Sequence, residues 1–229
     1  MNQTTDSYIN PASNYKEVWN CLSETLEEAV CYVTGPATEQ ELRNSGLSDA
    51  LRIIERIKIS PSDVVLEVGC GIGRLGYTLA DHCYKWIGCD ISPNMIRHAQ
   101  SRLKDKSNVE FILLDSNSLA QIRSNSVNAL YCSVVFMHLD EWDRFTYIEE
   151  AYRVLKHGGR IYFDNFNLAS EEGWEIFMNH KAIPATQRDL HISRSSTPDE
   201  FAIYLERAGF EERCIKTEDM WVLATATKS

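Results

Sequence analysis

The chain has 229 residues, 44% of them hydrophobic, and a formal net charge of −10. That length suits one α/β domain with a sizeable core. The acidic balance argues against a polyanionic partner, because non-specific nucleic-acid binding rests on Lys and Arg meeting phosphates. No apolar run approaches the roughly 20 residues of a membrane span, and the polar start MNQTTDSYINPASNY lacks the basic and apolar regions of a secretion signal. The seven cysteines, at 21, 31, 70, 83, 89, 132 and 214, are scattered and odd in number. They read as small hydrophobes of a reducing, cytoplasmic compartment rather than a disulfide or zinc framework.

Residues 1–14 read as a loose start. From Asn14 on, Val18, Trp19, Leu22, Leu26, Ala29 and Val30 recur at helical spacing, predicting one helix that Gly35-Pro36 breaks. Thr38 with Glu41 makes a capping box for a short second helix. Ser48 opens a third, DALRIIERIKI, with Leu51, Ile54 and Ile57 on one face, and Ser60-Pro61-Ser62-Asp63 turns the chain into a strand.

That strand and the glycine-rich stretch after it, VVLEVGCGIGRLG from Val64 to Gly76, organise the rest. Val64, Val65, Leu66 and Val68 suit a strand buried on both faces. Gly69, Gly71, Gly73 and Gly76 then let the backbone turn sharply and bring main-chain N–H groups to a ligand. The segment LGYTLADHC predicts a helix whose N-terminus faces that ligand. Two patterns overlap here. Gly71-x-Gly73-x-x-Gly76 fits the dinucleotide fingerprint, whereas Glu67-x-Gly69-x-Gly71-x-Gly73 fits a nucleoside cradle of another kind. Both want an acid at the end of the next strand to bind ribose hydroxyls, and Asp90, closing KWIGCD, supplies it.

Ser92-Pro93 caps the helix NMIRHAQSRLKDK, and Asn108 turns into a third strand, VEFILLD, ending at Asp115. A fourth strand spans Val127 to Phe136. The helix EWDRFTYIEEAYRVL comes next, His157-Gly158-Gly159 stops it, and RIYFD is a fifth strand. Repeated strand–helix units predict a doubly wound, mostly parallel sheet with helices on both faces. Residues 168–199 are polar and read as a surface insertion of helix and loop. Thr197-Pro198 starts a helix that Gly209 closes, and two strand-like segments near 211–228 have room only for an antiparallel hairpin.

Together the motif GluValGlyCysGlyIleGly (67–73), Asp90 with Ile91-Ser92, Asp115, PheMetHisLeu (136–139) and the turn at 153–160 make the chain resemble class I S-adenosylmethionine-dependent methyltransferases. The likeness is to their small-molecule, methyltransferase-11-like branch. It implies a Rossmann-like seven-stranded sheet with its last strand inserted antiparallel. It divides one domain, 1–229, into an N-terminal helical cap (1–60), a cofactor-binding core (61–167), a substrate-lid insertion (168–199) and a final helix and hairpin (200–229). A nicotinamide-dependent oxidoreductase and a non-catalytic cofactor-binding module stand as alternatives. The long helical start, Asp115 and the terminal hairpin count against the first, and the intact glycine loop against the second.

The resemblance also implies roles residue by residue. Gly69, Cys70, Gly71 and Gly73 wrap the methionine part and ribose of S-adenosylmethionine, with Glu67 supporting them. Asp90 accepts from the ribose, Ile91 and Met95 flank the adenine, and Asp115 with the N–H of Ser116 reads its amino edge. Arg74 reaches the methionine carboxylate or stays a solvated helix-start residue; Asp115 alternatively caps a turn. Backbone carbonyls at Cys132 and Ser133 line the methyl path. His138 is the candidate general base, with a structural loop histidine as the competing reading. Asp164-Asn165-Phe166-Asn167 sits where catechol-type enzymes bind a divalent metal. The acid such a site also needs is replaced by Cys132 and Ser133, so no metal is expected and Asp164, Asn165 and Asn167 face substrate or cap the turn. Trp174, His180, His191 and Arg194 shape a substrate site or a lid, and Tyr8, Tyr15 and Trp19 close the other side. The expected partner is a small-molecule methyl acceptor, with no nucleic acid and no membrane.

Overall fold

The computed structural model describes residues 15–229; the expected loose start and Tyr8 lie outside the described residues. Strands β1 (Val64–Val68), β2 (Lys85–Asp90), β3 (Val109–Leu113), β4 (Val127–Cys132), β5 (Leu155–Phe166), β6 (Phe210–Glu218) and β7 (Trp221–Lys228) form one sheet. Its order is β3-β2-β1-β4-β5-β7-β6. β1 to β5 pair in parallel, and β7 runs antiparallel between β5 and β6. This is the expected seven-stranded sheet. The reversal at β1, where neighbours diverge to β2 and β4, is the switch point at which open α/β sheets bind ligands.

Two apolar layers flank the sheet, which is why β1 is apolar on consecutive residues. Leu66 and Val68 pack with Ile148 and Ala151 of α6 (Glu141–Val154) and Phe201 and Leu205 of α8 (Pro198–Arg207). Val65 packs the other way, with Ala50 and Ile53 of α3 (Glu39–Ile57), Leu79 of α4 (Gly76–Leu79) and Ile96 of α5 (Pro93–Arg102). Trp86, fully buried, lies against two glycines: a Cβ at Gly76 or Gly88 would come within 2.4 or 2.2 Å of its ring. Packing alone therefore accounts for Gly76, and the third glycine of the dinucleotide pattern carries no information about a pyrophosphate.

Several boundaries differ from expectation. The first helix is two, α1 (Tyr15–Cys21) and α2 (Leu26–Thr34), because Thr25 restarts the chain with its own capping box to Glu28. Ser48 opens nothing. The capping box at Thr38 starts α3, which runs unbroken to Ile57 with Gly46 inside it, where a side chain would press on the Arg74 carbonyl at 2.8 Å. The helix after the glycine loop is only four residues, followed by a 3-10 turn at Ala80–His82, so it supplies little of the expected dipole. β4 stops at Cys132 rather than Phe136, since Val134 takes a left-handed φ of 60°. His157-Gly158-Gly159 is no stop signal but part of β5, absorbed by a register shift between Val127 and Ala129 of β4. In the insertion, α7 (Glu171–Ala182) is followed by a 3-10 turn at Ala185–Gln187 and mostly irregular chain to Thr197, the N-cap of α8. Among the described residues, no helix is long and apolar enough to cross a membrane.

Candidate active site

The glycine loop leaves β1 with Gly69, Gly71 and Gly73 at φ of 71°, 51° and 74°. No side chain fits at Gly69, where a Cβ would lie 2.4 Å from Val135. The N–H groups of Gly69 and Cys70 both donate to the Cys89 carbonyl, at 2.8 and 2.9 Å, which fastens the loop to β2. Asp90 completes the attachment. Its Oδ2 accepts from Gly71 N–H at 2.8 Å and its Oδ1 from Ser92 N–H at 2.9 Å. Burial holds the Asp90 carboxyl above the usual range, opposed by those backbone donors.

This loop forms one side of a cavity of about 920 Å³, its open mouth included. Of the residues singled out for the cofactor, Glu67, Gly69, Cys70, Gly71, Arg74, Asp90, Ile91, Met95 and Ser133 line it together. Glu67 is the floor. Burial pushes its carboxyl up to about 8, against a hydrogen bond from Tyr131 Oη–H, whose oxygen in turn accepts from Trp86 Nε1–H at 3.0 Å. Arg74 is engaged from behind by Asp49 of α3, at 2.6 Å, so the helical cap holds this side chain in the cavity wall.

Other candidates fall elsewhere. Gly73 lies behind the lining, packed toward Leu103 and Ala99. Asp115 and Ser116 are exposed, with Asp115 accepting from Gln121 Nε2 at 3.1 Å; their neighbours Leu114 and Asn117 line the cavity instead. Cys132 is fully buried in the apolar layer that contains Phe136 and Phe163. Asp164 is 4% exposed and fully used. It accepts from Ser133 Oγ–H, from Val134 N–H at 2.6 Å and from Tyr162 Oη–H at 3.0 Å. Left-handed backbone is a genuine outlier for a β-branched residue, and Asp164 is what holds Val134 there. Asn165 donates to Ser196 Oγ at 2.7 Å, and Asn167 accepts from Ala169 N–H at 3.1 Å. Both therefore shape the entry to the insertion. Trp174 is half exposed and stacks on Phe177, away from the cavity.

His138 comes after β4 in a 3-10 turn and lines the cavity. Its Nδ1 lies 2.7 Å from the His191 carbonyl, which only accepts, so Nδ1 carries the proton and Nε2 keeps a bare lone pair. Burial pushes the imidazole down to about 4 from 6.5; the His191 carbonyl opposes this, and the charges of His191 and Arg194 add to it. His191 thus touches the site through its carbonyl and its ring edges, 5.7 Å from Tyr32 and 6.4 Å from Trp19. Arg194 ties the same segment down, N–H to the Met137 carbonyl at 2.7 Å and guanidinium to the His138 carbonyl at 3.3 Å. His180 Nδ1 lies 3.0 Å from the Ser193 carbonyl and donates to it, within the insertion.

The depressed His138 value has a pH consequence. The unfolded chain takes up a proton below about 6.5 that the folded ring resists to about 4, so this residue's contribution is intact above 6.5 and is lost as pH falls through that window. The loss is roughly 2–3 kcal/mol, allowing for solvent at a half-buried ring. Urea midpoints at neutral pH and near pH 4.5 should therefore fall further for the native chain than for His138→Asn, which keeps the donor to His191 but cannot ionise. Equal falls would contradict the assignment.

Sequence reasoning passed over Tyr32, Val33, Leu139 and Tyr147, which also line the cavity. Tyr32 and Val33 lie on α2, and only tertiary packing turns that helix toward the glycine loop.

Residues 65–159 match the family described as Methyltransferase domain. The matched segment resembles a methyltransferase domain. It holds the glycine loop, Asp90 and His138, and the surrounding sheet is the class I methyltransferase fold. Over 168 residues the chain is 24% identical to phosphoethanolamine N-methyltransferase 3 of Arabidopsis thaliana, covering 72% of this chain but only 29% of that one. Magnesium protoporphyrin IX methyltransferase from Synechocystis PCC 6803, solved with bound S-adenosylhomocysteine, superposes with a TM-score of 0.69 at 17% identity, covering 93% of this chain and 99% of the other. The 4+2 cyclase SpnF superposes with a TM-score of 0.70 at 17% identity, covering 95% and 96%. The matched segment is thus embedded in a fold that the cyclase shares.

Proposed function

We propose that the chain transfers the methyl group of S-adenosylmethionine to an oxygen or nitrogen of a small molecule. The observation that carries this is one cavity joining the glycine loop and Asp90 on one side to His138 and the aromatic side chains of the cap on the other. The residues suit the cofactor. The loop is open where it faces the cap, since a Cβ at Gly71 would touch only Val33 at 3.4 Å, and Asp90 is a lining carboxylate beside it, matched to vicinal hydroxyls. Arg74 would hold the methionine end, Asp90 the ribose, and Ile91 and Met95 the adenine. S-adenosylmethionine, when bound, supplies a methyl group on a positively charged sulfur, which leaves positioning and exclusion of water to the protein. His138 takes up the proton of an O–H or N–H acceptor at Nε2.

In this reading residues 1–60 act as the cap, 61–167 hold the cofactor, 168–199 close the acceptor side and 200–229 complete the sheet. The protein works in the cytoplasm on a small molecule, without nucleic acid or membrane. The net charge of −10 supports a non-polyanionic acceptor. A bound divalent metal is not part of the reading, because the second acid such a site needs is replaced by Cys132 and Ser133, and Asp164 is turned to the Ser133, Val134 and Tyr162 donors.

Incubating the purified protein with methyl-deuterated S-adenosylmethionine and a metabolite extract tests the proposal. Label is expected in small molecules, with and without EDTA. Label confined to RNA or protein fractions would contradict it, and transfer abolished by EDTA and restored by magnesium would make Asp164 a metal ligand.

A further inference from the structure

We propose that the methyl acceptor is an uncharged or cationic, largely apolar small molecule, and that the cavity rejects acceptors bearing a phosphate or carboxylate. This rests on the methyltransferase reading above and names the substrate class of that site. The side of the cavity away from the glycine loop is built by Tyr15, Trp19 and Tyr32 of the cap with His138 and Leu139 after β4. The rings fix one another: Trp19 meets His138 edge-on at 4.8 Å, and Tyr32 meets His191 edge-on at 5.7 Å. Such walls offer flat apolar surface and a few hydrogen-bonding tips.

Charge is distributed against an anion. Among the described residues the acids in the lining are Glu67 and Asp90, and its one guanidinium, Arg74, is paired with Asp49 and assigned to the cofactor's methionine end. Asp140 and Asp143 stand close enough to Tyr15 to act on its hydroxyl, with Arg194 acting in the opposite sense. Arg194 acts on both Tyr15 and His138, but it is not in the lining, and its Nη1 is directed to the carbonyls of His138 and Leu190 at 3.3 and 3.5 Å. A phosphate or carboxylate entering here would shed water without gaining a counter-charge from the lining side chains. An amine would meet aromatic faces and nearby acids, both favourable to it. A neutral hydroxyl or amine would meet the free Nε2 of His138.

Saturation-transfer NMR on the protein loaded with S-adenosylhomocysteine tests this with probes that share a ring and differ in charge: benzyl alcohol, benzylamine and benzoate, with phosphoethanolamine as a small anion-bearing amine. The first two are expected to bind, and benzoate and phosphoethanolamine to bind about tenfold more weakly or worse. Tyr32→Leu, at an exposed ring where folding tolerates the change, is expected to weaken benzyl alcohol about fivefold or more. Tighter binding of either anionic probe overturns the proposal, and its loss in Arg194→Gln would locate the anion. Silence from all four probes overturns it as well. Calorimetry of S-adenosylhomocysteine on the same sample separates the two levels: no cofactor-product binding fails the methyltransferase reading, whereas binding combined with anion preference fails only the substrate class.

Discussion

Asp164→Ala is expected to destabilise the protein by about 3 kcal/mol or more, the largest loss at any polar residue of the site. The buried carboxylate accepts from the Ser133 hydroxyl, the Val134 N–H and the Tyr162 hydroxyl. Hydrogen bonds to charged groups are worth about 1.5–3 kcal/mol each, and stranded buried donors add a desolvation penalty. These bonds share one acceptor and do not sum. Relief from burying the carboxyl group, which desolvation holds above its usual range, returns part of the cost. The variant also frees Val134 from its left-handed conformation, which costs roughly 1–2 kcal/mol for a residue of this kind. Ser133, Val134 and Val135 line the cavity, and Val135 packs against Gly69, so the wall facing the glycine loop should loosen. Equilibrium urea unfolding gives the stability change. A loss under about 1 kcal/mol would mean that Asp164 does not hold this loop.

Asp90→Ala is expected to weaken S-adenosylhomocysteine by roughly tenfold to a hundredfold, corresponding to about 1.5–3 kcal/mol for a charged acceptor removed from paired hydroxyls. Part of that comes from the protein itself. Asp90 accepts from Gly71 N–H and Ser92 N–H, so its removal releases the glycine loop and the N-cap of α5 together. Asp90→Asn keeps the size and one acceptor oxygen, and should fall between the native chain and the alanine variant. Calorimetric affinities for the three proteins decide the matter. An alanine variant that folds and binds as the native chain does would remove Asp90 from the site.

The parts of this structure legible in the sequence are those set by local rules. The apolar run 64–68, the glycines after it and the acid at the end of the next strand specify a strand, a sharp loop and a partner for that loop within about 25 residues. The capping pattern at Thr38 and Glu41 and the Thr197-Pro198 start of α8 are equally local, and both helix starts appear as read, although the helix from Thr38 runs on through Ser48 to Ile57. Other features escape local pattern. Thr25 and Glu28 carry the same capping signature as Thr38 and Glu41, but helical spacing across 18–30 hid it. Asp115 falls at the expected sequence place and still lies exposed, because β3 ends at Leu113 and the chain then turns Leu114 and Asn117 inward. Asp164 suggested a ligand site by its neighbours, yet its donors come from the end of β4 and from its own strand. Which donors a carboxylate finds is decided by register between strands, and no periodicity records that. The aromatic wall is legible in part: Tyr15 and Trp19 read as closing the site, whereas Tyr32 is an ordinary helix residue until α2 folds over the loop.

Calorimetric titration of the native protein with S-adenosylhomocysteine, and in parallel with NAD, tests the central claim most directly. The cavity predicts a dissociation constant in the micromolar range, about −8 kcal/mol, and no measurable heat with NAD. Binding of NAD in place of S-adenosylhomocysteine would contradict the account.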